Sequence, residues 1–134
     1  MFKKLLLLAV VSGVLAGIAS TVYAKVYAEN TAGEFPGVVT TSGMFITCIG
    51  GTLLAAVGYW LLHKLLKQRT EPVFNLLFTI FTFASLLGPI SHRLPLDAET
   101  LPELFLGLTI PMHFFPALGW YTLKPLFFKP APDA

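Results

Sequence analysis

One ionisable side chain, that of His113, lies in the middle of an apolar stretch that prolines interrupt. The stretch runs from about 104 to 128, and Pro111 and Pro116 flank the histidine. A proline lacks a backbone N–H, so the carbonyl group four residues earlier must find another donor. An imidazole ring can donate, accept or exchange a proton near neutral pH. His113 is therefore the first candidate for a functional group in this chain.

Three threonines supply further polar groups that could act with His113. Thr79 and Thr82 belong to a polar stripe in the third apolar run, and Thr109 precedes Pro111 in the fourth. One interpretation is structural: the hydroxyl groups hold helices together, and His113 is a neutral ring bonded to a freed carbonyl group or to Thr82. The other is functional: the same groups line a path for a solute.

Four apolar runs must position these groups, at about 5–24, 38–62, 73–90 and 104–128. Each is long enough to cross a hydrocarbon core of about 30 Å as a helix. Of the 134 residues, 55% are hydrophobic and only 12% are charged, about half the charged fraction of a soluble domain. We therefore predict an all-α membrane protein, a single integral membrane domain over 1–134 and an antiparallel bundle of four transmembrane helices. Pro89, Pro111 and Pro116 are the predicted kinks.

The distribution of lysine and arginine predicts the orientation of this bundle. If the N-terminus is cytoplasmic, seven of these nine residues lie in cytoplasmic segments and two in outer loops. Cytoplasmic segments hold such an excess, so we predict that both ends are cytoplasmic (N-in/C-in). The cytoplasmic set is Lys3, Lys4, Lys64, Lys67, Arg69, Lys124 and Lys129, and the outer pair is Lys25 and Arg93.

The first apolar run also has features of a cleavable secretory signal. Lys3 and Lys4 precede it, and Val22-Tyr23-Ala24 could be a cleavage site. Against cleavage, the run is about 20 residues long and contains the helix-packing pattern Gly13-x-x-x-Gly17. We predict that it is retained as a helix.

Small residues recur at four-residue spacing in the first two runs and predict close helix packing. Residues four apart share one helix face, and small side chains there allow two backbones to approach in lipid. The two ridges either pack against each other within one chain or form the seam of a homodimer. They consist of Ala9, Gly13, Gly17 and Thr21 in the first run and of Gly43, Thr47, Gly51 and Ala55 in the second.

The residue inventory argues against several activities. No carboxylate lies inside an apolar run, which argues against carboxylate-based proton coupling and aspartyl proteolysis. One cysteine, Cys48, cannot form an intrachain disulfide, and a net charge of +2 gives no basic patch for nucleic acid. His63 and His92 are predicted at opposite surfaces, which argues against a haem held by both within one chain and leaves only a pair of His113 rings across a dimer axis. No set of three ligands for zinc is apparent. We assign no catalytic residue, metal ligand or cofactor.

Two stretches carry a resemblance to known sequences. The residues from Phe74 to Ser85 (FNLLFTIFTFAS) and from Leu108 to Leu118 (LTIPMHFFPAL) are similar to segments of small, uncharacterised four-helix membrane proteins of bacteria. The resemblance covers the third and fourth runs best and the first half of the chain only in hydropathy. It implies a multi-pass protein of the bacterial inner (plasma) membrane and transfers no activity.

These patterns favour a non-enzymatic membrane protein: an accessory subunit, a scaffold or a sensor. Its expected partners are the lipid bilayer and either a second copy of the chain or another membrane protein. The first alternative is a small oligomeric transporter or channel with His113 on the path, which predicts a cavity reaching that ring. The second is an enzyme acting on a lipid or quinone, which predicts a pocket where Asp97, Glu99 or Glu103 meets His92.

Overall fold

The computed structural model describes residues 1–32, 34–94 and 101–129. Within those ranges every regular element is a helix, and no strand is present. Three helical segments are long and apolar enough to cross a membrane: Phe2–Thr31, Thr41–Ser91, which consists of several consecutive helices, and Pro102–Phe127. The prediction of an all-α chain is therefore confirmed for the described residues, and so is the presence of helices long and apolar enough to span a membrane.

The first two helices differ from the predicted bounds at the ends where capping groups act. Helix α1 spans Phe2–Thr31, seven residues beyond the predicted end at 24, and stops where Ala32 adopts a left-handed conformation with φ of 55°. Helix α2 spans Thr41–Leu66 and follows Thr40, whose hydroxyl oxygen accepts the backbone N–H of Gly43 at 3.1 Å. Such a cap satisfies an N–H group that has no partner within the helix.

The chain reverses direction after α2, in one turn of 3-10 helix at Lys67–Arg69, and continues as helix α3 over Thr70–Ser85. The rings of Tyr59 and Phe74 are 5.0 Å apart, whereas fifteen residues of straight helix would separate them by about 22 Å. Two features make the reversal. Lys67 has a φ of 47°, which ends α2, and the hydroxyl group of Thr70 donates to the carbonyl oxygen of Lys67 at 2.6 Å.

Proline positions account for the remaining helix boundaries. Helix α3 stops at Ser85 and the short helix α4 occupies Leu87–Ser91, because Pro89 can give no hydrogen bond to the carbonyl group of Ser85 and its ring crowds that group. Helix α5 spans Pro102–Phe127 and runs unbroken through Pro111, Pro116 and Pro125. Its proline at the first position is favourable, because the N–H group there has no partner in any helix.

Helix α1 is the centre of the packing, with α2 on one side and α5 on the other. One core lies at the end of the bundle where the 67–69 turn is found, which we name the turn end. Another lies at the opposite end, the loop end. The turn-end core contains Leu5, Leu8, Ala9, Ala55, Ala56, Tyr59, Phe74 and Trp120, and the loop-end core contains Phe35, Phe105 and Leu108.

The glycine ridges of α1 and α2 do not meet face to face. A Cβ atom on Gly13 would lie 2.6 Å from the Cα atom of Ile49, and one on Gly17 would lie 2.5 Å from the ring of Phe45, so α1 presses its glycines against α2. Gly51 has no atom within 4 Å of its Cβ position, and Gly43 meets only the Thr40 hydroxyl group of its own cap. Gly43 and Gly51 therefore face away from α1, in contrast to the prediction for packing within one chain, whereas Ala55 of the same ridge is buried in the turn-end core.

Candidate functional site

A cavity of ≈ 1030 Å³ separates α2 from α3 and α4, and it is open along the side where Leu54 and Phe81 are exposed. On α2 its lining residues recur every three or four positions from Met44 to Leu62, and on α3 and α4 they do so from Phe74 to Pro89. Such spacing marks a single face of each helix. Eighteen residues of helix rise about 27 Å, so the cavity extends along most of a bilayer core. Helix α5 forms its floor.

Small side chains on α2 create the room. Thr47, Gly51, Ala55 and Gly58 occupy the α2 face of the cavity. Atoms added at Gly51 or Gly58 would meet nothing within 4 Å. The α2 ridge that the sequence predicts to pack against another helix thus lines an open space. The glycines of α1 are therefore packed against another helix, whereas Gly51 and Gly58 of α2 face open space.

The cavity lining carries no Asp, Glu, Lys or Arg among the residues that the structure describes. Its polar groups are hydroxyl groups, the Cys48 thiol and two imidazole rings, spread over a mostly aliphatic and aromatic surface. Charged solutes and hydrated ions gain little from such a wall, because transfer of an unpaired charge to an apolar environment is very unfavourable. Apolar molecules with a few polar atoms suit it.

His113 lies on the floor of this cavity, half-buried. Its Nδ1 atom is 2.8 Å from the carbonyl oxygen of Thr109, four residues earlier on α5. A carbonyl oxygen can only accept, so Nδ1 is the donor in this bond. The carbonyl groups freed by Pro111 and Pro116 are those of Gly107 and Met112, so the ring is bonded to a carbonyl group, though not to a freed one.

The three threonines that the sequence groups with His113 separate in the structure. Thr82 and Thr109 both line the cavity, and their hydroxyl groups donate to the carbonyl oxygens of Phe78 and Phe105 at 2.8 Å. Thr79 instead points to α5, where its hydroxyl group is 3.1 Å from that of Tyr121. His113, Thr82 and Thr109 therefore share one cavity, and Thr79 is part of a helix–helix contact.

Tyr23 of α1 satisfies the carbonyl group that Pro111 frees. Its hydroxyl group donates to the carbonyl oxygen of Gly107 at 2.8 Å. The close packing of α1 against α5 at this point depends on the missing side chain of Gly107, because a Cβ atom there would collide with the hydroxyl oxygen of Tyr27. A carbonyl group without a donor inside a membrane is costly, so this bond lets α5 carry a proline beside His113.

Tyr23→Phe is expected to lower the free energy of unfolding by about 1–2 kcal/mol, because it leaves the Gly107 carbonyl group without its donor. In a Pro111→Ala background the same change should cost less than half as much, since alanine at that position restores a backbone N–H to the carbonyl group. Unfolding in mixed micelles gives all four values. Tyr27→Phe is the control, because no hydrogen bond of the Tyr27 hydroxyl group is found among the described residues. Additive effects at Tyr23 and Pro111 would contradict this account.

A polar cluster lies beside the turn end of the cavity, next to the lining residue Phe74. The ammonium group of Lys124 is bonded to both carboxylate oxygens of Glu71, and Tyr59 donates to Glu71 Oε2 at 2.9 Å. Lys124 also lies over the Tyr59 ring, 4.1 Å from its centre, and 5.8 Å from the centre of the Phe74 ring. The cluster therefore joins α2, α3 and α5 at one end, while α2 and α3 stay apart elsewhere.

A second chain of hydrogen bonds continues this cluster along α3. Asn75 Nδ2 donates to Glu71 Oε1 at 3.5 Å, and the Tyr121 hydroxyl group donates to the backbone oxygen of Asn75 at 3.1 Å. Sequence reasoning missed the cluster, because it placed Glu71 in a loop and counted Lys124 only as a cytoplasmic charge. The available signal was a lone acidic residue beside the apolar run of α3 and a lone lysine in the aromatic end of α5.

The other candidates of the sequence are dispersed. His92 lies beside the Phe105 ring at the loop end, with ring centres 5.3 Å apart, and His63 stacks on Tyr59 at the turn end. Asp97 and Glu99, which the enzyme hypothesis would place beside His92, lie outside the described residues. Within the described ranges no group of three His, Cys, Asp or Glu side chains converges as a metal site would require.

The chain matches no protein-family model, no curated protein and no solved structure.

Proposed function

We propose that this protein is a non-enzymatic membrane protein that binds an apolar, membrane-soluble molecule in the cavity between α2 and α3–α4, as a sensor or carrier of that molecule. The observation that carries the proposal is the cavity of ≈ 1030 Å³ with no charged side chain in its described lining. Ligand pockets of that size are mostly apolar with a few placed polar groups. Here those groups are His113 and Thr109 on α5 and Thr82 on α3.

A transporter of polar solutes is the second candidate. Its support is that the cavity reaches His113 on a helix that contains prolines, as midmembrane sites in transporters do. Two observations favour the apolar ligand. The lining has no ionised group among the described residues, and the ring of His113 is held by the Thr109 carbonyl group. A path for ions or sugars needs more polar atoms than this wall offers.

Gly51→Leu is expected to reduce binding of an apolar molecule at least fivefold, because the new side chain projects into open space in the cavity. The probe is a long-chain hydrocarbon carrying a photoreactive diazirine, added to the protein in nanodiscs. Adducts in the peptide that contains Leu54 are counted by mass spectrometry. In the wild type, labelling should saturate with probe concentration.

Gly50→Leu is the matched control for this experiment. Gly50 is the next residue in α2, its Cβ position also has no atom within 4 Å, and it does not line the cavity. Both substitutions make the same change in composition and helix propensity. Equal labelling of both variants, or labelling that never saturates, would show that the probe only samples the lipid-facing surface.

The cavity could also be occupied by a helix of a partner protein. We propose that the chain functions within the lipid bilayer, and that a helix of a second copy or of another membrane protein is the competing occupant of the cavity. The ridge containing Gly43 and Gly51 would suit a helix, because small residues allow close approach. If Gly51→Leu changed the oligomer mass in nanodiscs without reducing labelling by the diazirine probe, a helix would be favoured as the occupant over the apolar ligand.

For the arrangement in the membrane, we propose four crossings: α1, α2, α3 with α4, and α5, with both chain ends cytoplasmic in a bacterial inner membrane. The reversal at 67–69 supports treating α2 and α3 as separate crossings, and α3 with α4 covers Thr70–Ser91, enough residues to span. The excess of lysine and arginine near Met1, Gln68 and Lys129 supports the orientation.

Cysteine labelling in intact cells tests this topology. In a Cys48→Ala background, Gly37→Cys should react with a membrane-impermeant maleimide from outside, because residue 37 lies exposed in the loop before α2. Gln68→Cys, exposed in the 67–69 turn, should react only after the cells are opened. Reaction of both residues from the same side would contradict four crossings.

A further inference from the structure

The polar groups that α3 and α5 present to the cavity have already used their hydrogens. Thr82, Ser85 and Thr109 each donate a hydroxyl hydrogen to a backbone carbonyl oxygen of their own helix, at 2.6–2.8 Å. All three line the cavity. A hydroxyl group has one hydrogen and two lone pairs, so each of these oxygens remains able to accept a hydrogen bond and unable to donate a second.

The imidazole ring of His113 has also used its Nδ1 hydrogen in a bond within its own helix. Its Nδ1 atom donates to the Thr109 carbonyl oxygen. A neutral ring then has no hydrogen on Nε2, which becomes an acceptor. No carboxylate lines the cavity among the described residues. No protein donor to Nε2 is found among those residues.

The donor hydrogens that remain lie away from His113, at the loop end, where the Thr40 hydroxyl group and the His92 ring line the cavity with no acceptor among the described residues. Thr47 of α2 donates to the Gly43 carbonyl oxygen at 2.5 Å. Ser20 Oγ and Cys48 Sγ lie 3.9 Å apart, so one of their two hydrogens is used between them, and the two residues are only 1% and 5% exposed. The side of the cavity around His113 therefore offers acceptors to a ligand, and an occupant with only acceptor atoms would leave them unpaired.

We infer that the molecule bound in the cavity is a membrane-soluble alcohol, a long-chain or polycyclic hydrocarbon with a free hydroxyl group, and that its hydroxyl group donates to Nε2 of His113. This inference rests on the proposed function and specifies its ligand class. Quinones, ketones and esters carry acceptors only and fit the wall less well. Carboxylates and phosphates bring a charge that no described lining residue can balance.

The test compares 1-hexadecanol with its methyl ether, which keeps the chain and the oxygen but has no hydrogen to donate. Both are titrated into protein in nanodiscs that contains ¹⁵N-labelled histidine. The alcohol should bind about three- to tenfold more tightly than the ether, as expected for one hydrogen bond, and should shift the Nε2 signal of His113. His63 and His92 are internal controls whose signals should stay in place.

His113→Phe keeps a planar ring and removes Nε2, so the preference for the alcohol should fall to about onefold. The wild-type spectra decide the question on their own if this variant does not fold. Equal binding of alcohol and ether with an unmoved His113 signal would overturn the inference and leave the proposed function standing. Tighter binding of hexadecan-2-one than of the alcohol would also overturn it. Saturable binding of none of the three would overturn both.

Discussion

Glu71→Gln is expected to lower the free energy of unfolding by about 3 kcal/mol. The substitution preserves shape and removes the negative charge from the Lys124 ammonium group, whose side chain is only 10% exposed. A buried charge without its partner is far more destabilising than a lost surface ion pair. The measurement is unfolding in mixed micelles with a rising fraction of SDS, followed by circular dichroism. The same variant should loosen the turn end of the cavity, because Glu71 joins α3 to α2 and α5.

The reverse substitution should be milder. Lys124→Met is expected to cost about 1 kcal/mol, since Glu71 is 49% exposed and its carboxylate can turn to water. The double variant should be close to Lys124→Met alone, because neither charge then remains unpaired. Glu103→Gln, an exposed carboxylate at the start of α5, is the control and should change little. Equal losses for the two single variants would contradict the buried placement of Lys124.

Gly13→Ala is the second substitution with a large expected effect, a loss of about 2 kcal/mol. The new Cβ atom would lie 2.6 Å from the Cα atom of Ile49 and 2.7 Å from Thr52 Oγ1. The Ile49 Cα atom belongs to the backbone and cannot rotate away as a side chain could, so α1 and α2 must move apart. That separation would also stretch the bond from the Thr52 hydroxyl group to the Ala9 carbonyl oxygen, now 2.7 Å long. The same unfolding assay measures the loss.

Other glycines in the two helices provide matched controls. Gly50→Ala and Gly51→Ala add a Cβ atom where nothing lies within 4 Å, so they should be neutral or stabilising by up to about 1 kcal/mol. Gly17→Ala should fall between, because its neighbour is the side-chain ring of Phe45 and not backbone. Similar losses at Gly13 and Gly51 would show that helix propensity, and not contact between α1 and α2, determines the effect.

The helices could be predicted from the sequence because apolar runs of this length have few alternatives to a membrane helix. Their ends could not be predicted as well, since single residues determine them. Thr40 begins α2 later than hydropathy alone suggests, and the left-handed Ala32 ends α1 later. Hydropathy averages over a window and cannot resolve a cap.

The cavity could not be predicted, because a ridge of small residues shows that another helix could approach closely and does not show whether a helix is there. Gly13 and Gly17 are used against α2, while Gly51 in a similar pattern faces open space. The environment of His113 was partly predictable. The structural interpretation paired the ring with a freed carbonyl group or with Thr82, whereas the ring is bonded to the carbonyl group of Thr109. The one freed by Pro111 is taken by Tyr23 from another helix.

The Glu71–Lys124 pair joins residues 53 positions apart in the chain. From the sequence, Glu71 was interpreted as a carboxylate in a loop and Lys124 as a cytoplasmic charge that reports the orientation of the helices. Pairing of this kind becomes visible only when the turn at 67–69 brings the start of α3 beside the end of α5. Such a contact is a property of the fold and not of either segment.

The most direct test of the account is whether an apolar molecule stays in the cavity when the bilayer is removed. Native mass spectrometry of the wild-type protein, released from membranes and washed through increasing detergent, should show one bound molecule per chain after bulk lipid is gone. Gly50→Leu should keep it and Gly51→Leu should lose it. A wild-type protein that sheds all adducts together with bulk lipid, or variants that retain them equally, would contradict a ligand in the cavity.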